Sequence, residues 1–205
     1  NYMSQKDLRL LESYEILNVT PEMISESKEQ NDGKIVLSGI IQKADALNQN
    51  GRVYPRAVLE REIRNYQKFI LENRATGELD HPSDSVVSLK NVSHIMREAR
   101  MDQAGVVWGK IELLPTPSGN TARALVESGV KIGISSRGVG SVEKEGDYYV
   151  VQDDYCIITF DLVQDPSTPQ AFMLPEGRKI LAHDLNKIFN KSDRIDRILN
   201  DILHK

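Results

Sequence analysis

The sequence has one cysteine among 205 residues, few aromatic residues and no long apolar run. Because Cys156 has no partner within the chain, an internal disulfide is excluded and a reducing compartment is favoured. Its apolar neighbours in YCIITF predict that Cys156 packs in the core. No apolar stretch approaches the ~20 residues that span a bilayer. The first residues also lack the basic-then-apolar order of a signal peptide, so we expect a cytoplasmic protein that does not bind membranes.

The sequence also has no large excess of positive or negative charge. Charged residues make up 27% of the chain, yet the net charge is only -4. A nucleic-acid-binding protein usually carries a basic patch, so this class is disfavoured. The length suits one well-buried core with a small appendage.

Apolar patterning divides the chain into three parts. We expect a loosely ordered N-terminal arm over 1–34, because an apolar stretch there leads into the polar run SESKEQNDGK. A single domain is predicted over 35–180. The segment 181–205 is predicted to be an amphipathic helix, with apolar residues of SDRIDRILNDIL on one face and Ser192 as its N-cap.

Within the central domain, alternating apolar residues predict strands and hairpins. A strand begins near Ile35, and hairpins turn at DQAG and near Gly146. Helical spacing follows Pro55 in RAVLEREIRNYQKFILEN, and a shorter helix ends at Gly129 with Leu125 and Val126 on its inner face. This mixture predicts an α+β domain built around an antiparallel sheet or β-barrel.

Three polar clusters interrupt these core elements. They are GELDHPSD (77–84), GISSRGVGS (133–141) and the acid of ITFDLV, Asp161. Histidine, serine and carboxylate are the parts of an acyl-transfer site, in which the imidazole takes the serine proton and the acid fixes the tautomer. Ser135 and Ser136 point to opposite faces of a strand, so only one can serve such a site. We favour Ser135 and keep Ser136 in reserve.

The same clusters have other interpretations. Glu78, Asp80, His81 and Asp84 could together hold a divalent cation, but no second histidine-carboxylate group completes a familiar metal site. GISSRGVGS lacks the Lys-Ser/Thr ending of a phosphate-binding loop. We therefore expect neither a metal nor a cofactor. Each cluster alone also has a structural explanation, since His-Pro pairs form turns, glycines mark bulges and lone acids face water.

Four segments in order resemble the prohead core proteases of T-even-like tailed bacteriophages. They are NQNGRVYPRAVLEREI, GELDHP, GISSRGVGS and FDLVQDPSTPQAF, and the resemblance runs from about Ile35 to Phe172. It implies a serine endopeptidase related in fold to the herpesvirus assemblins, an antiparallel β-barrel surrounded by helices. It does not reach the N-terminal arm or the C-terminal helix.

The resemblance also implies roles for individual residues. His81 of ELDHP would be the general base and Ser135, the first serine of SSRG, the nucleophile. Asp161 would be the third member, with Asp154 or Asp165 as substitutes if the register differs. Among the other histidines, His94 lies in a predicted strand without a nearby partner motif, and His183 and His204 belong to a polar C-terminal region. For the oxyanion we expect backbone amides near Ser136, Arg137 and Gly138, or in the 166–169 loop, with the Arg137 side chain assisting.

Proteases of this kind act inside the immature capsid, the prohead, within the host cytoplasm. The implied substrates are scaffold or core proteins, the N-terminal segment of the major capsid protein, and the protease itself. Relatives cut after glutamate with an aliphatic residue two positions earlier, which makes Glu12, Glu72 and Glu127 candidate self-cleavage sites. The alternative is a non-enzymatic assembly or scaffold-binding module with a degenerate site. The C-terminal helix is compatible with either function, because it could dock on scaffold, pair with a second protomer in a homo-oligomer, or cover the core.

Overall fold

A computed structural model of the protein describes residues 21–82, 85–168 and 170–175. Three helices lie in these ranges: α1 (Pro21–Gln30), α2 (Arg56–Leu71) and α3 (Pro117–Glu127). The strands described there are β1 (Val36–Lys43), β2 (Arg52–Val53), β3 (Thr76–Glu78), β4 (Val92–Met101), β5 (Val106–Leu113), β6 (Ile132–Val139), β7 (Val142–Glu145), β8 (Tyr148–Val151), β9 (Cys156–Val163) and β10 (Phe172–Pro175).

Seven strands form a mostly antiparallel, nearly closed barrel in the order β3-β4-β5-β1-β10-β6-β9. The expected hairpin at DQAG is the β4–β5 pair, and the one near Gly146 is β7–β8. The second hairpin joins β2 in a small sheet of order β2-β8-β7, in which β2 and β8 run parallel. The predicted α+β class and antiparallel barrel are confirmed.

The edge strands β3 and β9 meet at a seam where the barrel closes. One parallel bridge joins Leu79 to Leu162, and the Asp80 N–H donates to the Leu162 carbonyl over 2.8 Å. Side chains supply further bonds across the seam. One example is Thr159, whose hydroxyl donates to the Thr76 carbonyl over 2.7 Å. Hydrogen bonds from polar side chains thus join β3 to β9, where a continuous backbone ladder is absent.

The core fills the barrel and the space beneath α2. Its largest fully buried side chains include Leu37, Ile41, Leu59, Ile111, Ile134, Phe160 and Leu162. Strand alternation explains one wrong prediction. Tyr155 and Ile157 are buried, so Cys156 between them points outward and is exposed instead of packing in the core.

The helices follow the predicted periodicities with one correction. In α2, which starts directly after Pro55, the buried residues include Val58, Leu59, Ile63 and Tyr66. In α3, Thr116 is the N-cap and Ala122 and Val126 are buried. Leu125, which we expected on the inner face, is 37% exposed because the buried stripe runs through Ala122 and Val126.

Part of the N-terminal segment packs against the barrel. Ser27 of α1 is buried, and its hydroxyl donates to the Val36 carbonyl over 3.1 Å. Lys28 also forms an ion pair with Glu127 at the end of α3, 2.6 Å apart. The predicted helix in 181–205 lies outside the described residues. No helix in the described ranges combines the length and apolar character needed to cross a bilayer.

Candidate active site at the barrel seam

Asp161 lies at the centre of the seam and is completely buried. Its Oδ1 accepts hydrogen bonds from the Glu78 backbone N–H at 3.0 Å and from Arg137 Nη2 at 3.2 Å. Its Oδ2 accepts from His81 Nδ1 and Arg137 Nε, each at 2.8 Å. An acid inside a β-strand usually faces water, but here two oxygens receive four donors, which offsets the cost of burying the charge.

A tight turn after β3 brings His81 to this carboxylate. Asp80 has a φ of 65°, in the left-handed region that aspartate tolerates better than most residues. The backbone turns away from the seam at Asp80, and the side chain of His81 points back to Asp161. This side chain is 40% exposed. Because an ionised carboxylate only accepts hydrogen bonds, Nδ1 carries a proton, which in a neutral imidazole leaves the lone pair on Nε2. This tautomer is the one a general base requires.

Gly77 allows the seam to close this tightly. A Cβ at this position would lie 2.1 Å from the Phe160 carbonyl oxygen and 2.4 Å from Nε2 of His94. Contacts this short are repulsive for any side chain. The glycine of GELDHP is therefore required by the approach of β3 to β9 and β4.

Arg137 lies between two buried carboxylates. Its Nη2 is 2.6 Å from Glu78 Oε2, and its guanidinium also binds both oxygens of Asp161. One cation and two anions leave one net negative charge at the seam, which protonation of His81 would cancel. The Arg137 side chain is thus engaged by the carboxylates, and its expected assistance to an oxyanion stays a prediction.

These contacts set the ionisation of the site. Burial alone raises the pKa of Asp161, but the hydrogen bonds from His81, Arg137 and the Glu78 N–H bring the pKa below its usual value. Burial likewise lowers the pKa of Arg137, while its bonds to Asp161 and then Glu78 raise it above the usual value. Asp161 is therefore ionised and Arg137 charged at neutral pH.

His94, which has no partner motif in the sequence, is buried behind Asp161. Its Nε2 donates to the Phe160 carbonyl over 3.0 Å, and its Nδ1 accepts from the Ser93 hydroxyl over 2.9 Å. Burial lowers its pKa to about 4, although the Phe160 carbonyl and Asp161 act in the opposite direction. Ser93 is the extra residue of a bulge between β3 and β4, which the sequence pattern did not reveal. His94 is therefore a neutral residue that holds the seam together.

Ser135 and Ser136 occupy opposite faces of β6, as expected. Ser135 pairs directly with Asp161 across the antiparallel ladder, whereas Ser136 pairs with the core residue Phe160. Directly paired residues share a face, with Cβ atoms about 5 Å apart. Ser135 is therefore the serine on the Asp161 side. Its hydroxyl lies 2.9 Å from the Ser167 hydroxyl, and no hydrogen bond joins it to His81 in the described parts of the chain.

The other candidates lie in different surroundings. Asp154 is exposed and accepts a hydrogen bond from the Ser141 N–H, and Asp165 is exposed after β9. A Cβ at Gly138 would lie 2.6 Å from the Tyr155 ring, so packing accounts for this glycine.

Among the described residues, no three histidine, cysteine or acidic side chains are grouped as metal ligands would be. His183 and His204 lie outside those residues.

Comparison with solved structures gives the class of protein. The fold matches the structure described as the bacteriophage T4 capsid assembly protease, with a TM-score of 0.60 and 26% sequence identity. The match covers 64% of this chain and 82% of that chain. The barrel with its polar seam is thus the fold of a capsid assembly protease.

Sequence comparison identifies the family. The family model described as prohead core protein serine protease matches residues 8–180. The chain is also 28% identical over 160 residues to the prohead core protein protease of Enterobacteria phage T4, covering 72% of this chain and 75% of that protein. The chain therefore belongs to the prohead core protein serine protease family, and the predicted family is confirmed. It is a peptidase of phage capsid maturation.

Proposed function

We propose that this peptidase is a serine endopeptidase with Ser135 as nucleophile, His81 as general base and Asp161 as the residue that orients His81. The observation that carries the proposal is the 2.8 Å bond between His81 Nδ1 and Asp161 Oδ2. Asp161 is in turn the direct strand partner of Ser135. Two of the three predicted residues are thus in contact, and the third shares their face of the barrel. Active-site hydrogen bonds are often absent before substrate binds, so the missing serine-histidine bond is compatible with these roles.

In the proposed reaction, Ser135 Oγ attacks the scissile carbonyl carbon while its proton passes to His81 Nε2. His81 becomes an imidazolium that bonds to ionised Asp161, and the net charge of the seam becomes zero. The imidazolium then gives its proton to the leaving amine. Water next attacks the acyl-enzyme with the same base. Arg137 contributes by keeping Asp161 ionised and fixed in place.

Substrates are proposed from the relatives' names and the family resemblance. We expect the enzyme to cut phage scaffold or core proteins and the N-terminal segment of the major capsid protein inside the prohead. Cleavage is expected after glutamate, as in the proteases that the sequence resembles. Family membership favours this enzyme over a non-enzymatic assembly module.

Self-cleavage is proposed at the same kind of site. Glu127 is the last residue of α3 and pairs with Lys28, and Glu72 is the C-cap of α2. Because proteases bind extended chains, each site must lose a helical turn first. Cleavage after Glu127 would separate α3 from the β6 strand and inactivate the enzyme. An intact Glu127–Ser128 bond in mass spectra after complete self-digestion would contradict this idea; Glu12 lies outside the described residues.

The decisive experiment compares wild type with Ser135→Ala, Ser136→Ala and His81→Ala on an aliphatic-X-Glu peptide. Loss of cleavage in the Ser135 and His81 variants, with activity retained in the Ser136 variant, is the expected result. The two Ser→Ala variants are matched, because the serines are neighbours on β6 with opposite orientation. Activity that survives Ser135→Ala would reject the proposed nucleophile. The same variants in an assembling prohead extend the test to natural substrates.

A further inference from the structure

The Ser135 hydroxyl has a neighbour that the proposed triad does not use. Ser167 Oγ lies 2.9 Å from Ser135 Oγ, within the range of an O–H···O hydrogen bond. Ser167 belongs to the loop between β9 and β10, 32 positions after Ser135. Ser135 is buried and Ser167 half-buried. A second hydroxyl therefore lies directly against the proposed nucleophile.

The backbone around Ser167 is held on both sides. The buried Pro166 packs against β6, where a Cβ at Gly133 would lie 2.6 Å from Pro166 Cδ. The Ser167 carbonyl accepts a hydrogen bond from the Gln49 N–H over 2.8 Å, and Thr168 is buried. The loop thus presents the Ser167 hydroxyl to β6 from a fixed backbone, which is the condition for a preorganised donor.

Counting protons gives the direction of the bond. A serine hydroxyl has one proton to donate and two lone pairs. In the proposed mechanism the Ser135 proton must be free to pass to His81 Nε2. Ser167 is then the donor and Ser135 Oγ the acceptor.

We propose that Ser167 is a further catalytic residue, whose hydroxyl donates to Ser135 Oγ at rest and to the oxyanion during acylation. The inference rests on the proposed function, because it requires Ser135 to be the nucleophile. When Oγ bonds the carbonyl carbon, the C=O electron pair moves onto oxygen and the Ser135 proton passes to His81. The oxyanion is then two bonds from Oγ, beside the Ser167 hydroxyl. Its collapse restores C=O and expels the amine, which takes the proton from His81, while Ser167 keeps its own proton.

The opposite direction of the bond would have the opposite effect. If Ser135 donated to Ser167, the contact would hold the Ser135 proton away from His81. Removing the Ser167 hydroxyl would then leave the rate unchanged or increase it. The sign of the change in kcat therefore distinguishes a donor from an inhibitory acceptor.

The test uses Ser167→Ala, Ser167→Thr and Ser135→Ala in the full chain, with Ser141→Ala as the matched control. Ser141 is an exposed serine between β6 and β7. The measurements are kcat and KM on the aliphatic-X-Glu peptide, the rate of labelling by a fluorophosphonate, the affinity for a peptide boronate, and the thermal midpoint. Loss of one oxyanion donor typically lowers kcat by roughly 10²-fold.

We expect Ser167→Ala to lower kcat by about this factor with little change in KM or thermal midpoint. The boronate affinity should fall in parallel with kcat/KM, and Ser167→Thr should recover most of the loss because it keeps a hydroxyl. A kcat that is unchanged or raised in Ser167→Ala, or a loss that threonine does not recover, overturns the inference. Ser135→Ala that still cleaves the peptide rejects the proposed nucleophile instead. If wild type neither cleaves nor becomes labelled, both proposals are rejected.

Discussion

His81 Nδ1 and Arg137 Nε bind the same oxygen of Asp161, each at 2.8 Å, although His81 and Asp161 are 80 residues apart in the chain. The shared oxygen fixes the imidazole from one side while the guanidinium fixes the carboxylate from the other. The orientation of the proposed base therefore depends on Arg137 through the carboxylate that the two side chains share.

Asp161→Asn should keep the shape of the site but change its proton arrangement. An asparagine amide can donate to Nδ1 and favour the wrong imidazole tautomer, so we expect a loss in kcat of about 10⁴-fold. Peptide cleavage measures this loss, with Asp154→Asn and Asp165→Asn as matched variants. An Asp161→Asn enzyme with normal kcat, or an inactive Asp154 or Asp165 variant, would move the third triad position away from Asp161.

Arg137→Met should destabilise the fold because it leaves Asp161 and Glu78 buried without their cation. Breaking a buried pair in this way costs about 3–5 kcal/mol of unfolding free energy. Glu78→Gln in the same chain should restore part of this loss, and urea unfolding of both single variants and the double variant measures the coupling. The control is Arg100→Met, since Arg100 pairs with Glu98 in an exposed position and should contribute less than about 1 kcal/mol. Purely additive effects at Arg137 and Glu78 would contradict the network.

Gly77→Ala should disrupt the seam, because its Cβ would overlap the Phe160 carbonyl and the His94 ring. We expect a loss of about 3 kcal/mol, the upper end for an overpacked site, since the neighbouring carbonyl is backbone. The control is Gly146→Ala, where φ is 59° and no atom lies within 4 Å of the new Cβ. That change should cost only about 1–2 kcal/mol of backbone strain. Similar urea midpoints for the two variants would contradict the tight approach at Gly77.

His94 should make stability depend on pH in the acidic range. Its pKa falls from 6.5 to about 4 on folding, so the unfolded chain takes up its proton first as the pH falls. The stabilisation is complete above pH 6.5 and is lost towards pH 4, about 3 kcal/mol in all. Urea unfolding at pH 7, 6 and 5 should show a shallower dependence for His94→Gln than for wild type. Parallel pH dependences would show that His94 is not buried as a neutral group.

Local patterns in the sequence predict the elements of the fold and the polar clusters that supply the candidate site residues. Strand alternation and turn residues predict both hairpins and an antiparallel sheet or barrel, and the family resemblance implies the barrel and the roles of His81, Ser135 and Asp161. The contact of Arg137 with Asp161 cannot be predicted from the sequence, because the sequence does not show that β6 and β9 pair. Only that pairing brings the guanidinium to Asp161. The role of His94 cannot be predicted either, since the bulge at Ser93 and the seam exist only in the folded chain.

The proposed mechanism links activity to closure of the seam. Asp161 receives the Glu78 N–H and His81 only when β3 has reached β9, so a chain with an open barrel has a serine but no oriented base. In the proposed mechanism, the closure of the barrel is also the step that orients the catalytic base. Until that contact forms, the proposed nucleophile would have no base to take its proton, and an incompletely folded chain would be inactive.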